Sequence, residues 1–221
     1  MGKLIVIEGL DGSGKSTQLE LLKKRLTKKN IPVKAISFPD YESESSALVK
    51  MYLSGRFGEN PSDVNPFAAS LFYCVDRYAS FKEKWGRDYA DGKVIIAGRY
   101  TTSNAIHQTS KLDEAEWKPF LDWLYDIEYK KVGIPKPDLV IFLDMPVEVS
   151  QKLLSGRYEG DESGKDIHER DVNYLNRCRK AANFVADYYG FKTISCADGD
   201  LPRSLNNISD DILELVLDAL R

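Results

Sequence analysis

Short apolar runs alternate along this chain with longer stretches in which apolar residues recur every three or four positions. The runs Leu4–Glu8, Val33–Phe38, Val94–Ala97, Leu139–Asp144 and Lys192–Ser195 read as strands. Several are continuously apolar, as parallel strands covered on both faces require. Between them, Ser16–Lys29 sets Leu19, Leu22 and Leu26 on one stripe, and the long segment Pro66–Asp91 carries Phe67, Leu71 and Val75 in register. Glu114–Lys131, Val147–Ser155, His168–Tyr189 and Ser209–Leu220 complete the predicted helices. Strand–helix alternation predicts an α/β fold, a five-stranded parallel sheet flanked by helices and joined by right-handed crossovers. One stretch breaks the pattern. Gly156–Lys165 sets Gly156, Gly160 and Gly164 among Arg, Asp, Glu and Ser and reads as a mobile loop between two helices.

Composition narrows the class. The 221 residues suit a single domain, residues 1–221, long enough to bury a core without staples. With 43% hydrophobic and 29% charged positions, collagen-like, disordered and coiled-coil classes are excluded. The 31 basic and 34 acidic residues nearly cancel, to a net charge of −3. No nucleic-acid partner is therefore expected, while a local basic site for a small phosphate ligand stays open. Cys74, Cys178 and Cys196 are far apart and form no CxxC, so they read as reduced core or surface thiols. No apolar run approaches membrane-spanning length, and Met1–Glu8 is too short and too soon interrupted for a signal peptide. No membrane partner and a cytoplasmic location are expected.

The first strand runs straight into Gly9-Leu10-Asp11-Gly12-Ser13-Gly14-Lys15-Ser16-Thr17, and a helix follows. This is GxxxxGK[ST] in the strand-before, helix-after setting that gives the motif its meaning. Its glycines let successive backbone N–H groups curl around a phosphate, and the helix N-terminus adds partial positive charge. Lys15 reaches the β- and γ-phosphates, and the Ser16 hydroxyl can ligate Mg²⁺. The fold expected is therefore the three-layer P-loop NTPase fold, with a nucleoside triphosphate as ligand. A Gly-rich turn that matches by chance is the competing reading, and the loop alone does not say what receives the phosphate.

Further markers follow in order: Phe38-Pro39-Asp40-Tyr41, Asp76-Arg77, Gly98-Arg99-Tyr100 with Ser103-Asn104, Lys136-Pro137-Asp138-Leu139 leading into Leu143-Asp144, and an acidic Asp166-x-x-Glu169. With the phosphate loop, their order and spacing resemble the thymidylate kinase family over essentially the whole chain. The resemblance implies transfer of the γ-phosphate of ATP, with Mg²⁺, to dTMP. It places Gly9, Asp11, Gly12, Ser13, Gly14, Lys15, Ser16 and Thr17 around ATP. It gives the Asp11 carboxylate the 3′-hydroxyl of the acceptor sugar, although a turn Asp bonded to its own backbone fits the same spacing. It lines the acceptor pocket with Phe38, Pro39 and Tyr41, and it stacks Tyr73 on the base while Arg77 donates to a base oxygen. Tyr73 and Arg77 are four apart and share a helix face, which an ordinary amphipathic helix also does. Arg99 is implied to grip the acceptor phosphate, with Ser103, Asn104 and Gln108 as polar contacts.

Two positions depart from the family's pattern. Where the family reads Asp-Arg-Tyr, this chain reads Gly98-Arg99-Tyr100, so a carboxylate normally near Mg²⁺ is missing. Glu8, Asp166 or Glu169 can orient the metal instead. The family's usual tyrosine beside the sugar 2′-carbon is here His107, which fills the space and adds a hydrogen-bonding group. The Gly156–Lys165 loop falls where such kinases carry a lid. No basic residue precedes Lys15 in the phosphate loop, so Arg157 and then Lys165 are the candidates for neutralising transition-state charge, with Lys15 and Arg99. A solvated loop holding two basic residues by chance is the alternative. Asp166 and Glu169 are implied to order the substrate and lid, or are first-turn acids favoured by the helix dipole. The resemblance also implies a homodimer packed on Pro66–Asp91, with Phe67, Phe72 and Trp85 as contact residues, or else as core. Two other functions stay open because of Gly98: a kinase for another deoxynucleotide or deoxynucleoside, and a weakly active or non-catalytic nucleotide-binding relative.

Overall fold

The computed structural model describes residues 1–157 and 172–221. In chain order its main elements are β1 (Leu4–Gly9), α1 (Lys15–Lys28), β2 (Val33–Ser37), α2 (Ala47–Leu53), α3 (Pro66–Ser80), α4 (Gly86–Ala90) and β3 (Val94–Gly98). There follow α5 (Thr101–Thr109), α6 (Glu114–Tyr125), β4 (Leu139–Asp144), α7 (Val147–Arg157), α8 (Val172–Tyr189), β5 (Lys192–Ser195), the short pair β6 (Ala197–Asp198) and β7 (Leu201–Pro202), and α9 (Leu205–Ala219). The five predicted strands form one parallel sheet in the order β2-β3-β1-β4-β5.

The central strand explains the layers. Successive side chains of β1 point to opposite faces, so Ile5 and Ile7 join Leu22 and Leu26 of α1 and Ile212 and Val216 of α9. Leu4 and Val6 instead meet Trp85, Ile95 and Tyr100 on the other face. Further along that face Phe142 packs with Leu121, Tyr174 and Val185. The strand is buried at every position, which is why it reads as an unbroken apolar run.

Several predicted helices are redrawn. Pro66–Asp91 is not one regular helix: a π-turn, Phe81–Trp85, separates α3 from α4. Glu114–Lys131 likewise passes from α6 into a π-turn, Asp126–Val132. Such turns insert a residue into the ladder and swing following side chains to a new direction. Helix α9 begins at Leu205, four residues before the prediction, because the Ser204 hydroxyl accepts from the Asn207 N–H as an N-cap. Helix α2 is only seven residues long and α5 is buried nearly all round, so neither shows a period that can be read from the chain. Trp85 is wholly buried beside Phe81, Tyr89 and Tyr100, so it is core and not an intermolecular contact.

The apolar register of α3 also runs against expectation. Phe67, Leu71, Val75 and Tyr78 are exposed, Phe67 with one side of its ring against Phe120 and Trp123, while Ala69, Ser70, Cys74, Asp76, Arg77 and Ser80 are buried. All three cysteines are free and buried. Among the described residues no helix is long and apolar enough to cross a membrane.

Candidate active site

The phosphate loop joins β1 to α1 at the carboxyl edge of the sheet, where ligands bind in open α/β folds. At Gly9 a Cβ would lie 2.5 Å from the Ser13 hydroxyl and 2.9 Å from the Leu143 carbonyl oxygen, so only glycine lets the loop close against β4. Gly14 holds φ +85 at the N-cap of α1 and turns the chain into the helix. Lys15 lies over the loop and donates to the Leu10 carbonyl at 2.7 Å. The Ser13 hydroxyl is buried against Gly9 with no hydrogen-bond partner inside the protein.

A cleft beside the loop collects residues from five separate segments. Its walls are Asp11, Phe38, Pro39, Tyr41, Leu53, Tyr73, Arg77, Arg99, Tyr100, Ser103, Asn104, His107 and Gln108. Every acceptor residue expected from the sequence, apart from Asp166 and Glu169, is therefore in one place. A second cavity, of about 460 Å³, adjoins it and is lined by Lys15, Ser16, Leu19, Ser37, Asp40, Glu42 and Gly98. The two share Phe38, Pro39, Tyr41 and Arg99. The lid expected at Gly156–Lys165 falls on residues of which nothing is described beyond the end of α7. The Arg157 side chain, Lys165, Asp166 and Glu169 lie outside the described residues.

Arg99 stands at the junction. Its backbone adopts φ +63, a left-handed conformation uncommon for a side-chain-bearing residue and characteristic of functional positions. The guanidinium is ion-paired to Asp11, lies 3.8 Å from Glu8, and meets Ser103 Oγ at 3.4 Å and His107 Nε2 at 3.3 Å. Burial alone would lower its pKa, but Asp11 and Glu8 outweigh that and hold it above the usual arginine value. Because a guanidinium only donates, His107 Nε2 accepts, and the ring proton is assigned to Nδ1, facing Tyr174 at 3.5 Å and Cys178 at 3.6 Å. His107 is thus a buried neighbour of Arg99 rather than a simple space-filler.

Glu8 does not fit the metal role. It is fully buried, its Oε1 accepts from Gly9 N–H at 2.9 Å, and its Oε2 accepts from Thr102 and Ser103, both at 2.7 Å. Its oxygens are committed to tying β1 to α5. Ser16 Oγ remains as the protein oxygen at the head of α1, and among the described residues no group of three or more His, Cys, Asp or Glu could hold a metal. That donor set suits Mg²⁺, which takes few protein ligands when substrate phosphates supply the others.

On α3, Tyr73 and Arg77 do share a face that reaches the cleft. Arg77 is also buried against Glu128, an acid that sequence reasoning did not single out: its Nη2 pairs with Oε1 and its Nε donates to Oε2 at 3.1 Å. Asp76 stands in the sequence only as part of the Asp76-Arg77 marker. Its carboxylate accepts from Asp40 N–H at 2.9 Å and Ser45 Oγ at 2.6 Å, which fixes the Phe38–Tyr41 segment over the cleft. Gln108 Oε1 is buried without a protein partner on the cleft wall.

A loop that cradles phosphate, beside a second cleft lined by an arginine, an aromatic ring and polar side chains, defines a P-loop nucleotide kinase. The family model for thymidylate kinase matches residues 7–199. A probable thymidylate kinase of Thermococcus gammatolerans is 34% identical over 219 residues, covering 98% of this chain and 96% of its own. The thymidylate kinase of Mycobacterium tuberculosis is 31% identical over 178 residues, covering 79% of this chain and 81% of its own. A solved thymidylate kinase structure from Candida albicans shares the fold with a TM-score of 0.72 at 22% identity, covering 98% of this chain and 92% of that one. The chain belongs to the thymidylate kinase family.

Proposed function

We infer that this chain transfers the γ-phosphoryl group of ATP to dTMP, giving dTDP and ADP. Family membership supports the reaction, and the observation that carries its chemistry is Arg99 at the boundary between the phosphate loop and the acceptor cleft. An acceptor phosphate oxygen attacks the γ-phosphorus, and the bond to the bridging oxygen breaks to release ADP. The attacking oxygen is already anionic, so no strong base is needed and catalysis is positioning and charge neutralisation.

Lys15 and the loop N–H groups hold the donor phosphates. Arg99 grips the acceptor phosphate, exchanging its hold on Asp11 for the ligand, and Asp11 accepts from the sugar 3′-hydroxyl. Tyr73 stacks on the base, Arg77 donates to a base oxygen, and Phe38, Pro39, Tyr41, Ser103, Asn104, His107 and Gln108 complete the pocket. Ser16 would hold Mg²⁺, which would supply neutralisation of the developing phosphate charge. Arg157 and Lys165 remain the candidates to approach from the Gly156–Lys165 lid, and Asp166 and Glu169 to order substrate. Residues 1–221 act as one domain, located in the cytoplasm, where reduced buried thiols are the rule.

The exposed stripe Phe67, Leu71, Val75 and Tyr78 repeats at helical spacing along α3, with Val75 54% exposed. A continuous apolar face of this kind marks an interface, and the partner proposed is a second copy of the chain. The test of the whole reading is ADP release with a panel of nucleoside monophosphates. Turnover confined to dTMP is the expected result. Preferred turnover with another monophosphate, or ATP binding without acceptor-dependent turnover, overturns it.

A further inference from the structure

We propose that Glu128 is a positioning residue for base recognition: it fixes the Arg77 guanidinium so that its free edge reads a carbonyl oxygen of the acceptor base. The inference rests on the reading of Arg77 given under Proposed function. Glu128 lies in the π-turn Asp126–Val132 after α6, fully buried. Regular helix would place this residue on another face. The turn aims it across the molecule at α3, and the Glu128 carbonyl accepts from the N–H groups of Gly133 and Ile134, so the turn closes on the residue itself. Its carboxylate takes at least three donors: Arg77 Nη2 on Oε1, and Arg77 Nε and Thr101 Oγ1 at 3.1 and 3.2 Å on Oε2.

This side-on grip consumes two of the five guanidinium N–H groups. Nη1 reaches the Tyr100 carbonyl oxygen only at 3.5 Å, which leaves at least two donors on the guanidinium for a ligand in the cleft. A buried ion pair is a poor device for stability, since apolar side chains of similar volume do as well or better. This one, in the wall of the acceptor cleft, instead imposes orientation. A guanidinium locked in plane offers donors to a carbonyl oxygen and opposes an amino group. Thymine carries a carbonyl where cytosine carries an amino group, so a rigid Arg77 discriminates between the two and a rotating one does not.

The experiment compares kcat/KM for dTMP with that for dCMP. Glu128→Gln keeps the shape but sets an amide donor against a guanidinium donor, which turns the ring of donors away. The expected result is a dTMP/dCMP ratio at least tenfold lower, arising in the KM for dTMP more than in kcat. A folded Glu128→Gln protein, checked by circular dichroism, with the ratio unchanged overturns the proposal. Should that variant not fold, Thr101→Val decides: it keeps the ion pair but frees the carboxylate to roll, with a drop of about threefold expected and an unchanged ratio overturning the proposal. Arg77→Lys separates the two levels. If it leaves the ratio unchanged, the reading of Arg77 itself fails. If it abolishes the ratio while Glu128→Gln does not, only the role of Glu128 fails.

Discussion

Helix α1 buries Leu19, Leu22 and Leu26 against the sheet, whereas helix α3 turns Phe67, Leu71, Val75 and Tyr78 outward and buries Ser70, Asp76, Arg77 and Ser80. Both helices segregate apolar from polar residues. The pattern alone does not say which face is inside. In α1 the buried face meets strands, and burial of each leucine contributes about 1.5–3 kcal/mol. In α3 the buried face meets partners that satisfy it: Glu128 for Arg77, Asp40 N–H and Ser45 for Asp76, and the Pro66 carbonyl for the Ser70 hydroxyl. A polar face can go inward only where such partners await it. The outward apolar face then calls for a cover of its own.

The largest effect is expected at the head of α1. Lys15→Ala removes the cation at the helix head and is expected to lower kcat about 10³-fold, the scale of losing a transition-state charge contact. An ADP-release assay that finds less than a tenfold loss would place the donor phosphates elsewhere. On the side of α3, Leu71→Glu sets a charge in the outward stripe. Sedimentation is expected to show wild type at twice the 25.0 kDa chain mass and the variant at the chain mass. A monomeric wild type refutes the covered face.

Gly98→Asp sharpens the boundary between the two regions. A Cβ at this position meets Leu19 Cδ2 of α1 at 3.2 Å and Ser37 Oγ at 3.4 Å, so the leucine tip must yield a few tenths of an ångström. Turnover is expected to rise severalfold at limiting Mg²⁺. Unchanged kinetics at every Mg²⁺ concentration would mean that the cleft works without a carboxylate there.

A further prediction concerns the wall behind Tyr73. Tyr52 packs edge-on to Tyr73 at 6.4 Å, and the Lys111 amino group donates to the Tyr52 hydroxyl at 2.8 Å. Burial pulls the Lys111 pKa down to about 7. Above that value the folded protein has lost the proton that the unfolded chain still holds, so the unfolded state binds more protons and stability rises with pH from 7 towards 10. The urea midpoint should increase between pH 7 and pH 9, and Lys111→Met should remove Lys111's share of that slope. An identical slope in the variant would assign the dependence to other groups.

Legibility followed the same division. All five strands and the phosphate loop could be read from the chain, because a buried parallel strand is a local apolar run and the loop is nine consecutive residues. Helix α5 escaped, although Ser103, Asn104, His107 and Gln108 sit on it: nearly all its residues are buried, polar and apolar alike, so no period distinguishes one face. The acceptor residues follow from resemblance, not from periodicity. For Trp85 the chain leaves contact and core both open, and for Glu8 it leaves a metal role open that the fold does not use, for one reason. An aromatic or an acid carries no local mark of whether its partners lie within the fold or outside it.

The amino-acid sequence by itself determined the sheet, the phosphate loop and the family, since each depends on residues close together or on their linear order. Tertiary structure alone decided that the polar face of α3 turns inward, that Glu8 is a brace between β1 and α5, and that Glu128 locks Arg77 from 51 residues away. Those outcomes are set by hydrogen-bond partners that meet only after the chain has folded, and no local preference encodes a contact across such a distance.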